Sequence, residues 1–199
     1  MTGKELLLAT YRHESVERPP WVPFAGVHAG KFKGYTATEI LTDVDKLMEC
    51  LLEVHRLYRP DGQPVMFDLQ LEAEILGCDL MWADDNPPRV TSHPLADTDD
   101  MPERVVQPAD GRLPLVMEAT RRLKAEVGSD TAIMGLFCGP FTLASHLRGT
   151  KLFMDMKKNP DQVRKLMDYV TQNAFQMIDM YFEAGADVIC PVDPLVSQI

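Results

Sequence analysis

The sequence predicts an α/β fold of the (β/α)8 barrel type, of which the chain covers about the first half. One observation is the apolar run Ala132–Phe137, which is typical of a short, fully buried strand. This strand passes through Cys138-Gly139-Pro140 directly into a short helix that ends at Gly149, as in the βα junctions of parallel α/β proteins. The second observation is that four such strands alternate with long helical segments. Right-handed crossovers then make the four main strands parallel.

Helical spacing of apolar residues, proline and glycine punctuation, and short apolar runs define the other elements. The predicted helices are Lys4–Glu14, Val44–Tyr58, Leu69–Leu76, Leu113–Val127 and a longest helix that opens at Asn159-Pro160 and ends before Gly185. The other predicted main strands are Trp21–Ala25, Pro64–Phe67 and Asp187–Val192, and Cys78–Trp82 with Arg89–His93 are predicted to form a small antiparallel excursion. Residues 97–108 are polar and interrupted by proline, so we predict a surface loop there.

Composition excludes several classes of function. The formal net charge of −10 argues against a nucleic-acid partner, which usually needs a basic face. No run approaches the roughly 20 apolar residues that span a bilayer, and the first residues are too charged for a secretory signal. The four cysteines are scattered, so we expect reduced thiols and a cytoplasmic protein. No glycine-rich phosphate loop follows any strand, which leaves no argument for a nucleotide.

Chain length bears on the architecture. A complete (β/α)8 barrel usually needs about 250 residues, and this chain has 199. We therefore expect a single domain over residues 1–199 that forms an incomplete barrel. Because half a barrel leaves strand edges unpaired, we expect a homo-oligomer or pairing with a missing second half.

Three stretches resemble the uroporphyrinogen decarboxylase superfamily, which includes the decarboxylase and the cobamide-dependent methyltransferases. They are Gly135–Gly149 (GLFCGPFTLASHLRG), Met66–Gly77 (MFDLQLEAEILG) and Glu17–Trp21 (ERPPW). The resemblance covers nearly the whole chain, but only the amino-terminal half or somewhat more of a typical member. It implies a (β/α)8 barrel with its pocket at the carboxyl ends of the strands. This arrangement would place six residues around one mouth: Gly26, His28, Asp68, Cys138, Gly139 and Asp193.

The resemblance also implies roles for individual residues. Asp68 matches the decarboxylase position whose carboxylate gathers pyrrole N–H groups, so we expect it to be catalytic, although it can equally cap the helix that follows. Glu72 lies four residues further on and would share a helical face with Asp68 toward the mouth. His146 stands where the decarboxylase has a tyrosine. We expect His28, Glu72, Gly139, His146 and Asp193 to bind substrate, and no metal ligand is assigned.

The departures from the family pattern favour one branch. The decarboxylase carries two arginines that bind substrate carboxylates, and the matching segment here, residues 23–27, has none. Our first hypothesis is therefore a corrinoid-dependent methyltransferase that passes a methyl group between a cobamide, free or on a corrinoid protein, and a thiol or other small acceptor. In that branch a zinc ion held by an HxC pair and a later cysteine activates the thiol, but no HxC occurs here, so the zinc ligands would lie outside this chain. One alternative is a decarboxylase-type lyase, which needs no cofactor; another is a catalytically silent half-barrel that needs a second chain.

Overall fold

The computed structural model describes residues 1–198 and shows an α/β fold. Its α-helices are α1 (Gly3–Tyr11), α2 (Ala37–Thr42), α3 (Val44–Tyr58), α4 (Leu71–Ile75), α5 (Leu113–Val127), α6 (Pro140–Arg148), α7 (Lys151–Lys158) and α8 (Pro160–Glu183). Its strands are β1 (Gly62–Pro64), β2 (Leu80–Met81), β3 (Arg89–Val90), β4 (Ala132–Cys138) and β5 (Val188–Val192), and two 3-10 helices span Gly26–Phe32 and Pro194–Gln198. In the described part of the chain, none of the helices has the length and apolarity that a bilayer crossing requires.

The main sheet is parallel, as predicted. Within residues 1–198 it has three strands in the order β1-β4-β5. Gly62 of β1 lies opposite Ala132 of β4, and Met134 to Cys138 of β4 lie opposite Val188 to Val192 of β5. All seven residues of β4 are buried because this central strand is covered on both faces. The small excursion is confirmed as the antiparallel pair β2–β3.

The prediction of a first strand at Trp21–Ala25 is wrong, since these residues have no regular secondary structure. The segment does run beside β1, where the Asp61 N–H donates to the Trp21 carbonyl over 2.8 Å. The Trp21 N–H, however, donates to the Asp61 carboxylate over 2.6 Å rather than to a strand. Pro23 has no N–H at all, so a continuous hydrogen-bond ladder does not form. The predicted strand at Pro64–Phe67 is displaced, because the ladder with β4 covers Gly62–Pro64.

The helices pack on the sheet in the manner that their apolar faces predict. Helices α3, α5 and α8 share one core with the β4 residues Ile133 and Phe137. Alternate β4 residues, Ala132 and Met134, face the other way and contact Leu7 of α1. Helix α1 therefore closes the amino-terminal end of the sheet and leaves the carboxyl end for the site.

One close contact fixes α8 on β4. A Cβ atom added to Gly135 would lie 2.5 Å from Tyr181 Cγ, so only glycine allows the ring to approach this closely. The Tyr181 hydroxyl donates to the Leu136 carbonyl over 2.7 Å. Because Tyr181 is fully buried, this bond satisfies its hydroxyl away from water.

Candidate functional site

Asp68 lies just beyond β1, at the carboxyl end of the sheet, and its side chain is fully buried (0% exposed). Oδ1 accepts the Gln70 N–H over 2.9 Å, so the carboxylate does stabilise the turn that leads into α4. Oδ2 lies 2.7 Å from Arg112 Nη1 as an ion pair that is not aligned as a hydrogen bond. The carboxylate thus faces the protein interior and not bulk water.

Arg112 is the residue of this site that the sequence reasoning missed. It directly precedes α5, with a side chain only 12% exposed. Its Nε donates to Glu74 Oε2 over 2.9 Å, and its guanidinium carbon lies 4.9 Å from the centre of the Trp82 ring. Its remaining nitrogen, Nη2, is buried and has no hydrogen-bond partner. A lone arginine after a polar loop carries no signal in the sequence, because its partners lie about 40 residues away.

Glu72 lies in α4 and is 1% exposed. Its Oε1 accepts the backbone N–H of Cys138 at the end of β4 over 2.8 Å, whereas Oε2 is buried without a partner. Burial, with a smaller contribution from the nearby Asp68 carboxylate, raises the pKa of Glu72 to about 8. At neutral pH Glu72 is therefore mainly a neutral carboxylic acid.

The turn from β4 into α6 joins β5 through Asp193. The Asp193 carboxylate accepts the N–H groups of Phe141 and Thr142, each over 2.9 Å, and the Thr142 hydroxyl over 2.6 Å. Asp193 follows β5, and it therefore caps α6, the helix that follows the neighbouring strand β4. Gly139 is required for this cap, because a Cβ at that position would overlap the Asp193 side chain.

Cys138 occupies the end of β4 between these carboxylates. Burial, and after it the nearby carboxylates of Asp193 and Asp68, raise the pKa of its thiol well above the ordinary value. Cys138 is consequently a protonated thiol at neutral pH. A thiol in this state is a packing group and not a nucleophile.

His146 lies on α6, and its Nε2 is buried without a partner. Burial and the neighbouring His93 lower the pKa of its imidazole, and the Asp68 charge opposes them only in part. His146 is thus held in its neutral form near Asp68. Its backbone carbonyl accepts a hydrogen bond from His93 Nδ1 over 2.7 Å.

His28 lies apart from this cluster. It lines an open groove of about 320 Å³ that also includes Phe24 and Phe67, and its ring packs edge-on against Phe32 at 5.3 Å. Phe67 directly precedes Asp68, so the groove is next to the cluster. The structure thus groups Asp68, Glu72, Gly139 and Asp193 around the end of β4, sets His146 close by, and gives His28 a separate surface; their substrate-binding roles stay predictions.

A family model described as uroporphyrinogen decarboxylase (URO-D) matches residues 2–199. The chain belongs to this family. The match confirms the predicted superfamily, and the parallel sheet with its small antiparallel excursion confirms the fold class.

The relatives of this chain include both methyltransferases and decarboxylases. It is 29% identical to the methylcobamide:CoM methyltransferase MtbA of Methanosarcina acetivorans over 98% of its own length and 59% of that protein. It is 24% identical to the uroporphyrinogen decarboxylase of Parasynechococcus marenigrum, again over 98% of its own length and 59% of the relative. Among solved structures, a methyltransferase from Methanosarcina mazei matches with a TM-score of 0.88 at 28% identity, over 98% of this chain and 60% of that one. The chain therefore spans about three fifths of the length of these proteins.

Zinc does not fit the residues that the structure describes. Across residues 1–198 no three His, Cys, Asp or Glu side chains are arranged to hold a metal ion. The thiol nearest to the cluster, that of Cys138, is kept protonated, whereas zinc binds the thiolate. No step of the chemistry is therefore assigned to a metal on this chain.

Proposed function

We propose that this chain forms the amino-terminal part of a corrinoid-dependent methyltransferase, which moves a methyl group between a cobamide and a thiol or other small acceptor. The observation that carries the proposal is the likeness to the Methanosarcina mazei methyltransferase, with a TM-score of 0.88 over 98% of this chain. The similarity to MtbA supports the same branch. A cobamide, free or held by a corrinoid protein, is then a substrate that approaches the carboxyl ends of the strands.

The residues of the cluster would supply positioning and charge. Asp68 is a buried carboxylate next to one guanidinium, and in a site shielded from water its charge acts strongly on a bound molecule. His146 is held neutral and has a free ring nitrogen, so it can exchange a hydrogen bond with a substrate. Asp193 and Gly139 would act indirectly, because they fix the start of α6, which carries His146.

The decarboxylase alternative has less support. Porphyrin substrates carry many carboxylates, and a site for them needs cations. Residues 23–27 contain no arginine, and the one guanidinium in the cluster is already paired with Asp68 and Glu74. The carboxyl-rich mouth of a chain with a net charge of −10 would therefore repel such a substrate.

We also infer that a further polypeptide segment covers β5 in the working protein. In the described residues β5 pairs only with β4, and its residues are half-buried or exposed. Next to it lies an open, mostly apolar groove of about 490 Å³, lined by Leu8, Tyr11, Phe182 and β5 itself. An apolar strand with a free edge is an aggregation hazard unless another strand pairs with it. A second chain or a second copy would serve.

The experiment compares two preparations in two reactions, which are methyl transfer to coenzyme M and decarboxylation of uroporphyrinogen. The chain is purified alone, and also after co-expression with the carboxyl-terminal part of MtbA that this chain does not match. Each preparation is given methylcobalamin, coenzyme M and zinc salt, and methylated coenzyme M is measured by mass spectrometry. We expect product from the co-expressed pair. Release of carbon dioxide from uroporphyrinogen without methyl transfer would support the decarboxylase instead, and no turnover in either reaction would support a catalytically silent half-barrel.

A further inference from the structure

The open groove of about 320 Å³ that His28 lines, here called the His28 groove, has a largely aromatic floor. Phe24 and Phe67 meet edge to face with 5.9 Å between their ring centres, and Phe24 is 47% exposed. Val27 and Pro87 add further apolar surface. A planar apolar group can therefore stack on this floor and bury apolar area there.

Gly26 keeps part of this floor uncovered. Its φ is +52°, which favours glycine, and a Cβ atom added to it would lie 3.4 Å from Phe67 Cδ1. A side chain at this position would thus be strained and would lie against the ring. The second segment that lines the groove, residues 85–87, follows a backbone hydrogen bond from the Ala37 N–H to the Asp84 carbonyl over 2.6 Å. Both segments of the groove are therefore held by the fold.

Four exposed polar side chains of the groove make no hydrogen bond or ion pair within residues 1–198: His28, Lys31, Asp85 and Asn86. His28 and Lys31 are three residues apart in the 3-10 helix Gly26–Phe32, and residues at this spacing lie on one face of such a helix. An ammonium is a point charge that binds phosphate well, and an imidazole can donate a further hydrogen bond. An anionic group therefore fits this side of the groove.

We propose that the His28 groove is a binding subsite for a planar aromatic ring that carries a phosphate group. The ring lies on Phe24 and Phe67, and the phosphate faces Lys31 and His28. Asp85 repels an anion, so it restricts the phosphate to the side of the 3-10 helix. The identity of the ligand rests on the proposed function: it is the nucleotide tail of the cobamide, in which a ribose joins a benzimidazole ring to a phosphate. A tail bound here would anchor the cobamide beside the Asp68 cluster.

The subsite is tested by NMR on the chain labelled with carbon-13 in its Phe and His rings, with Phe24→Ala and His28→Gln to assign the two signals. The probe is α-ribazole 5′-phosphate, the dimethylbenzimidazole ribonucleotide. We expect both signals to shift saturably, with a Kd of about 1 mM or tighter. α-Ribazole, which lacks the phosphate, and inorganic phosphate, which lacks the ring, should each bind at least about fivefold more weakly, because each contacts only one part of the groove. Shifts that are absent up to about 10 mM, or that inorganic phosphate reproduces at the same concentration, would overturn the proposal.

Variants test each part of the groove. Lys31→Gln should weaken binding about twofold to fivefold, and this difference should shrink in high salt. Lys33→Gln is the matched control, since Lys33 does not line the groove and pairs with Glu53 at 3.7 Å. Asp85→Asn should tighten binding, and Phe24→Ala should weaken it at least about fivefold through lost stacking. Equal affinities of Lys31→Gln and Lys33→Gln, or an unchanged affinity of Phe24→Ala, would refute the assignment.

Adenosine 5′-monophosphate also joins an aromatic ring to a phosphate, and it separates the two sources of this chemistry. Tighter binding of α-ribazole 5′-phosphate supports the cobamide tail, whereas tighter binding of adenosine 5′-monophosphate would overturn that identity. None of these measurements needs methyl transfer. If the ribonucleotide binds but the completed protein transfers no methyl group, the proposed function fails and the subsite stands. If methyl groups are transferred but Lys31→Gln and Phe24→Ala bind the probe as the unmodified chain does, only the subsite fails.

Discussion

Replacing Asp193 by alanine should remove the hydrogen bonds that join the end of β5 to the start of α6 and so lower the stability of the fold. In the structure one carboxylate accepts three hydrogen bonds, from the N–H groups of Phe141 and Thr142 and from the Thr142 hydroxyl. Pro140, the first residue of α6, has no N–H, so these two are the first backbone donors of the helix. Both residues are buried, and water does not readily replace the lost carboxylate.

The expected loss of stability follows from these contacts. Removing a side-chain cap costs about 0.5–2 kcal/mol, and each hydrogen bond to a charged group contributes about 1.5–3 kcal/mol. Because alanine removes a charged cap with two buried backbone donors, we expect a decrease of about 2–3 kcal/mol in the free energy of unfolding. For a chain of this length that corresponds to a fall in Tm of roughly 4–12 °C.

Urea unfolding followed by circular dichroism measures this change. Asp193→Asn keeps one acceptor oxygen and should lose about half as much stability. Asp161→Ala is the matched control, since its side chain is 83% exposed and its ion pair with Arg164 lies on the surface of α8. The reasoning is refuted if Asp193→Ala unfolds at the same urea concentration as Asp161→Ala.

Three other predictions concern the buried groups. Arg148→Met should lower the free energy of unfolding by about 3–5 kcal/mol in urea, because Arg148 is 1% exposed and pairs with a buried aspartate; exposed Arg164→Met is the control and should resemble the parent chain. Gly135→Ala should cost about 1–3 kcal/mol, since its Cβ would lie 2.5 Å from the Tyr181 ring, and calorimetry that shows no loss would contradict this close packing. Because the pKa of Glu72 is raised, the folded chain binds up to one more proton than the unfolded chain between about pH 4.5 and 8. The contribution of Glu72 to the free energy of unfolding therefore falls as pH rises through that window, by at most about 1.4 kcal/mol per pH unit. Urea titrations across this range should show a shallower pH dependence for Glu72→Gln, and parallel curves would argue against a buried acid.

The elements that the sequence predicts well are those whose signals are local. Helices α3, α5 and α8 have apolar residues at helical spacing, and their observed bounds agree closely with the predicted ones. Strand β4 is a short apolar run between a polar residue and a glycine-proline turn, which leaves little choice of structure. Patterns of this kind need no information about distant residues.

The elements that the sequence predicts poorly depend on partners elsewhere. Whether Trp21–Ala25 forms a strand depends on the N–H that Pro23 lacks and on Asp61, whose carboxylate accepts the Trp21 N–H. Helix α7 was not predicted, because it is only eight residues long and Thr150 before it makes no side-chain cap. Both cases turn on hydrogen bonds that a local pattern does not reveal.

The candidate site divides in the same way. The family resemblance implies one mouth that includes Asp68, Gly139 and Asp193, and the spacing of four residues from Asp68 adds Glu72. The structure groups these residues around the end of β4. The sequence did not indicate that Asp193 caps α6 or that Arg112 pairs with Asp68, since both contacts join segments more than 40 residues apart. His28 was expected at the same mouth but lies in the neighbouring groove.

The most direct test of the account is the rate of methyl transfer from methylcobalamin to coenzyme M by the completed protein, with Asp68 and with Asp68→Asn. Asparagine has nearly the same shape but no charge, and circular dichroism verifies that the variant is folded. We predict that the rate falls by at least about tenfold, equivalent to ~1.4 kcal/mol of transition-state stabilisation. An Asp68→Asn protein that transfers methyl groups at the unmodified rate would contradict the assignment of this buried carboxylate to the site.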